Sequence, residues 1–441
     1  MTDGINLEYS ERPLFLRIVS IVSLPALIAL VAVMDTRLAV FLGFVFAVLA
    51  SGFSPVYGFP IILIGAALNN IDFIFGLHFG WILISGCALG GVVHVLLRRD
   101  ILIVDTSIAV LIAVFIVLEI SIALFDGSGR LDRLAALLTI MIFIAILGGC
   151  SPLEFVRGYI HPDATRALIY IMGSVGIILF FSTLSLLSTQ DISMSRDYEL
   201  GLSIGDTESS PRSLSNVLGL VVVTCIAGVI TYRANWFDKL MWTAMGLIAF
   251  IGMFYTGSRM PVIATGFGLA VAIFTQLIFF GKKLPVKNII IAMSGVSLIS
   301  IIIYSLATYG PGVLPFVDDS VSDFRLLRAP TIESNTRLDL WQEYFDDASV
   351  FQLLFGSGIG SMGNPHSLFI GTLGAFGFVG VTALFFFICS LAIQAIRNHS
   401  IIALALLGYA LLALSSSSDV DKSYFWVMAA VVILFIRLSR M

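Results

Sequence analysis

The chain has 441 residues, of which 59% are hydrophobic and only 12% charged. Soluble domains average about half apolar and a quarter charged. With a mean hydropathy of +1.03, this composition excludes a water-soluble globular fold, which could not hide so much apolar surface. The net charge is −4, and nothing in the chain reads as a nucleic-acid interface.

Apolar runs of about twenty residues follow one another, each long enough to cross a bilayer as a helix. The N-terminal stretch "MTDGINLEYSERP" carries acidic residues. The run after it, Leu14 to Met34, is too long for a signal h-region and lacks a small-x-small cleavage site, so it reads as a retained first helix. The predicted spans are 14–34, 37–53, 57–71, 76–97, 101–124, 132–150, 166–188, 214–232, 236–256, 260–280, 287–307, 366–396, 400–414 and 422–438. The short ones, 57–71 and 400–414, could be re-entrant, which gives about 12–14 spans. The expected fold is an all-α polytopic transmembrane helical bundle. It forms a single integral membrane domain, 1–441, with a long extracytoplasmic loop, 308–365, that carries an amphipathic helix. The spans look mostly continuous at mid-membrane.

Orientation follows from Lys and Arg. With the N-terminus inside, the inner loops hold Arg98, Arg99, Arg157, Arg166, Arg233, Lys239, "GKKLPVK" and Arg397, and the tail adds Arg437 and Arg440. About fourteen cations then fall inside and about ten outside, which favours both termini in the cytoplasm. Acidic residues run the other way, roughly seven inside and nineteen outside, so the outer face is acidic, about −9. Both long loops, 189–213 and 308–365, land outside. The four cysteines, Cys87, Cys150, Cys225 and Cys389, lie in or at the ends of apolar runs. They read as packing residues without metal or disulfide spacing.

Within the span region, Asn69, Asn70, Asp72, His78 and Glu119 gather toward the outer side. They are candidate cavity-lining residues, because a lone intramembrane carboxylate is costly. Asp105 and His94 fall near inner ends and read as interfacial. The turn "TGSRMPV" places Arg259 at the outer headgroup level, where an arginine is either a headgroup anchor or a functional cation.

In the long outer loop, "NTRLDLWQEYFDD" begins with Asn335, a good helix cap. Leu338, Trp341 and Phe345 then share one helical face, with Arg337 on its border. Arg337 could snorkel to a carboxylate or grip an anion. The next stretch, "FGSGIGSMGNPHSLF", has glycines at 356, 358, 360 and 363 that allow a tight, irregular turn. Pro365 suits the first turn of the helix that follows, and His366 would sit in that first turn. The helix dipole there disfavours imidazolium and makes a local anion site. The bland alternative is an interfacial histidine satisfied by water or a carbonyl. No P-loop, zinc-protease or serine-hydrolase signature is present.

The order of these elements carries a resemblance. A short outer "GSR" turn is followed by a long outer loop with R-x3-W (Arg337 to Trp341), then G-x-G, then "PHSLFIGTLGAFGFVG". This resembles the O-antigen polymerase and O-antigen ligase superfamily, most strongly over about Thr256–Gly380. Many members have His-Asn where this chain has His366-Ser367. The resemblance implies a GT-C-like glycosyltransferase of the bacterial inner membrane, with its active site facing the periplasm. Its donor would be a glycan on undecaprenyl pyrophosphate, and it would need no metal and no cofactor. A flippase and a chain-length regulator are partners such an enzyme would have besides the bilayer. By motif match, Arg259 and Arg337 would hold the pyrophosphate, and His366 would orient or deprotonate the acceptor hydroxyl. Trp341, Asn364, Ser367, Asp339 and Glu343 are the expected substrate-binding residues, and Asp339 or Glu343 is a rival base. A polymerase joining repeat units is favoured over a ligase, because an acidic outer face poorly suits the anionic lipid A–core acceptor. A secondary transporter or lipid-linked glycan flippase is the rival of a different class.

Overall fold

A computed structural model of the chain describes residues 36–67, 72–74, 77–98, 106–125, 131–149, 164–187, 203–204, 207–208, 211–256, 258–280, 342, 344–346, 348–359, 367–414 and 423–439. The expected spans 14–34 and 287–307 lie outside the described residues, as do Asp105 and Cys150. The helices are α1 (Thr36–Phe53), α2 (Pro55–Ala67), α3 (Phe79–Arg98), α4 (Thr106–Phe125), α5 (Leu131–Gly149), α6 (Ala164–Leu187), α7 (Pro211–Thr231), α8 (Trp236–Tyr255), α9 (Arg259–Phe280), α10 (Val350–Phe355), α11 (Leu368–Arg397), α12 (Ile401–Leu414) and α13 (Ser423–Leu438). Two very short antiparallel hairpins interrupt them. β1 (Asp72–Ile74) pairs with β2 (Leu77–His78), and β3 (Ser203–Ile204) pairs with β4 (Thr207–Glu208). Asp72 and His78 are backbone partners in the first of these.

Among the described residues, five helices are long and apolar enough to cross a membrane: Gly80–Leu97, Thr106–Leu124, Ser213–Thr231, Met260–Phe279 and Leu368–Arg397. Helices dominate because, away from water, a helix is how a segment satisfies its own backbone. Hydroxyls inside them comply with the same constraint. Thr224, Thr231, Thr372 and Thr382 each donate to the carbonyl four residues earlier.

Small residues set the closest helix crossings. On α3, a Cβ at Gly90 would lie 2.3 Å from the Val48 oxygen, and one at Gly86 would lie 2.8 Å from the Ala47 Cβ. So α3 lies backbone-close on α1. His94 of α3 reaches the same helix, its Nδ1 being 3.1 Å from the Gly52 oxygen. It is buried within the bundle, because the small-residue crossing leaves a carbonyl within its reach. Cys87 and Cys225 are buried free thiols, and Cys389 is half-buried.

The centre of the bundle is α7, whose span is almost entirely buried. It packs on α6, α8, α9 and α12. Gly219 makes room for Tyr409, whose hydroxyl donates to the Asn216 carbonyl at 2.8 Å. At the opposite end of α7, Arg166 and Tyr170 of α6 both donate to Asp238 of α8, each at 2.5 Å.

Two helix directions matter for the site. Gly268 of α9 faces Ala405 and Tyr409 of α12, while Phe279 stacks edge-on against His399 just before α12 begins. So α9 and α12 run antiparallel. The turn from α11 to α12 is short, so α11 runs parallel to α9. Its first piece does not follow that direction: Leu368 lines the same small cavity as Phe387 and Leu391, so the start of α11 folds back beside its own later turns.

The expectation of continuous spans fails at α11. Gly377 has φ 62° and ψ −167°, which divides the helix into two pieces. Its own sequence conceals this, since Gly377 is one of several glycines in an apolar run.

Candidate functional site

The break in α11 is filled by the glycine-rich turn. Ahead of that turn, α10 is started by a reciprocal cap, in which Ser349 Oγ accepts from the Gln352 amide and Gln352 Oε1 accepts from the Ser349 amide. The six-residue helix stops at Gly356, whose φ of 91° favours glycine. The turn then runs alongside α11. The Ser357 amide donates to the Gly374 oxygen at 2.8 Å, and the Gly358 amide donates to the Ala375 oxygen at 3.1 Å. These are carbonyls near the Gly377 break, so the turn restores bonding that a continuous helix would have supplied.

The next residue binds a different helix. The Ile359 amide donates to Glu119 Oε2 of α4 at 3.3 Å. Both residues are buried, Glu119 completely. One turn earlier on α4, Phe115 stacks on Phe376 with ring centres 4.2 Å apart and planes 13° apart. Thus α4, the broken helix and the glycine-rich turn form one packed unit.

The short helical stretch before α10 touches this unit through Tyr344. Burial pushes its phenol above the ordinary range, and the neighbouring Ser357 hydroxyl draws it part of the way back. The two groups are close without forming a hydrogen bond of good geometry. Gln342 and Tyr344–Asp346 are helical. Tyr344 turns inward there while Phe345 remains 41% exposed.

At the far side of the turn, α11 begins at Leu368 with Ser367 as its cap. His366 therefore precedes the cap rather than lying in the first turn. Ser367 is buried, and its hydroxyl makes no capping hydrogen bond. Arg259 is the first residue of α9, and the backbone of the turn before it is pinned by Thr256, whose Oγ1 accepts weakly from the Ser258 amide at 3.5 Å. Each helix start leaves its first amides without an intrahelical partner and carries a partial positive charge. The side chain of Arg259 lies outside the described residues. So do Arg337, Asp339, Trp341, Glu343, Asn364 and His366, along with Asn69 and Asn70.

Among the described residues, no group of three or more His, Cys, Asp or Glu side chains could hold a metal ion. A small cavity between α11, α12 and α13, bordered by Leu368, Phe387, Leu411 and Phe425, is entirely apolar in its lining. It offers nothing to an anion or a sugar.

No protein-family model matches the chain, and no curated protein matches it significantly.

Sequence reasoning singled out the glycine-rich turn and Glu119, the latter as a cavity-lining candidate, whereas it is buried against the turn. It missed α10, Tyr344 as the inward residue, and the break at Gly377. The Ser-x-x-Gln capping box ahead of an apolar stretch (Ser349, Gln352) was a legible signal for α10. The pairing of Glu119 with Ile359 had none.

Proposed function

We propose that this chain is a membrane glycosyltransferase that polymerises glycan repeat units carried on undecaprenyl pyrophosphate. It would sit in the bacterial inner membrane with both termini in the cytoplasm, and act at the periplasmic face. The acceptor sugar hydroxyl attacks the anomeric carbon of the donor glycan. A carbon–oxygen bond forms there while the bond to the phosphate oxygen breaks, and undecaprenyl pyrophosphate leaves. The proton of the hydroxyl goes to His366, or to Asp339 or Glu343. Charge builds on the leaving pyrophosphate, and Arg259 and Arg337 balance it, since arginine stays charged and offers paired donors. Preorganised cations at a leaving group are a large catalytic contribution. Trp341, Asn364 and Ser367 line the sugar side.

The observation that supports this most is the anchoring of the glycine-rich turn. Ile359 and Ser367, the described residues on either side of the segment that carries His366, are both buried. Transfer to lipid A–core by the same chemistry is the closest alternative.

A transport reading has one specific observation in its favour. A broken helix next to a buried carboxylate is a feature of transporter sites, and α11 with Glu119 has that form. The break in α11, however, is filled by protein backbone, and the Ser357 and Gly358 amides occupy two of its carbonyls.

The deciding experiment is reconstitution in liposomes with an undecaprenyl-pyrophosphate-linked repeat unit, with EDTA present, and with or without lipid A–core. A ladder of lengthening lipid-linked glycan without the core supports the polymerase. A single transfer only with the core means ligase. No transfer in either case, with a cognate substrate, leaves transport.

A further inference from the structure

We infer that Glu119 is a positioning residue: through the Ile359 amide it locks the glycine-rich turn into the bundle, and so sets where the segment carrying His366 can go. The catalytic consequence rests on the glycosyl-transfer reading; the locking itself does not.

Three observations converge. First, Glu119 is completely buried on a helix apolar enough to cross a membrane. A carboxylate there is expensive unless something uses it. Second, a backbone amide in the turn donates to it, at 3.3 Å and 240 positions away in sequence. The amide belongs to the residue that follows the two amides bonded to Gly374 and Ala375. Three consecutive N–H groups are thus held by two different helices. Third, the Phe115–Phe376 stack fixes α4 against the broken part of α11. Glu119 and the broken part of α11 are therefore held to each other.

The geometry explains why a long acceptor is needed. The turn lies on α11, while α4 stands beside it. A side chain must cross from α4 to the turn and present an oxygen. Glutamate reaches; aspartate is one methylene shorter. Glutamine reaches equally far and offers a carbonyl oxygen, but it has no charge and no exchangeable acid proton. These two substitutions separate reach from charge.

Backbone amide hydrogen exchange of the purified full-length protein, read by mass spectrometry, tests the lock without any substrate. In the native chain, peptides covering Ser357, Gly358 and Ile359 should exchange slowly. Glu119→Ala and Glu119→Asp should raise their exchange at least about tenfold, with the peptides of α7 unchanged as the control for folding. Glu119→Gln should remain protected. In the reconstituted assay, Glu119→Ala and Glu119→Asp should lose roughly ten- to a hundredfold in kcat with little change in KM. Glu119→Gln should stay within about threefold of the native rate.

Unchanged exchange in Glu119→Ala overturns the lock. Protection retained in Glu119→Gln, with activity as low as in Glu119→Ala, overturns the positioning role, because the carboxylate would then act by charge or proton. A chain that makes no glycan at all but shows the expected exchange pattern refutes the transferase reading while the lock stands.

Discussion

The backbones at Gly356 and Gly377 cross in direct contact. A Cβ on Gly356 would fall 2.2 Å from the Ala375 oxygen, and one on Gly377 would fall 2.3 Å from the Leu354 oxygen. Both residues also have positive φ, 91° and 62°. Each glycine is required twice, for its conformation and for the space its missing side chain leaves.

Gly356→Ala and Gly377→Ala should therefore each destabilise the protein by at least about 2 kcal/mol, combining strain with a backbone clash. Thermal unfolding in detergent measures this. Gly266 is the control: nothing lies within 4 Å of a Cβ there, and alanine is the better helix former. A Gly377→Ala protein as stable as Gly266→Ala would mean that α11 is not broken.

Arg337→Ala and Arg259→Ala should abolish glycan product while the protein still inserts in the membrane. Arg337→Lys should restore little, because lysine cannot make the paired contact with a phosphate. Product in the reconstituted assay is the readout. Full activity of either alanine variant removes that arginine from the leaving-group site.

His366→Ala should slow transfer by about two to four orders of magnitude, the usual contribution of a positioned acid or base. Expression and melting temperature should stay native. A variant that expresses poorly but keeps its specific rate would make His366 a packing residue.

Asp238→Ala should cost about 2–3 kcal/mol. It removes the buried acceptor shared by Arg166 and Tyr170. Losing one partner of a buried pair costs about 3–5 kcal/mol, and Arg166 is 28% exposed, so water recovers part of that. The thermal midpoint reports the loss. Specific activity below the new midpoint should be native, since this cluster lies at the start of α8, the other end of that helix from the start of α9.

Much of the helical layout was legible because a bilayer imposes a simple local rule. A run of about twenty apolar residues must become a helix. The helix edges at Phe53, Arg98, Phe125, Phe280, Arg397 and Leu414 fall close to the ends of the apolar runs. Glu119 was conspicuous for the same reason, as a charge where the rule allows almost none. The capping box at Ser349 was equally local and could have revealed α10.

What was not legible depends on pairs of distant residues. "LFIGTLGAFGFVG" contains four glycines, and its hydropathy is the same whether or not the helix breaks. Gly377 is the one with non-helical angles: the end of α10 at Leu354 and Phe355 lies against it, and the turn that follows supplies amides for the Gly374 and Ala375 carbonyls. A helix can give up its own hydrogen bonds inside a bundle only where another backbone replaces them. Composition and hydropathy thus determined that the chain is helical and membrane-embedded. Tertiary packing decided where α11 breaks, what fills the break, and which of 441 residues meets the carboxylate of Glu119.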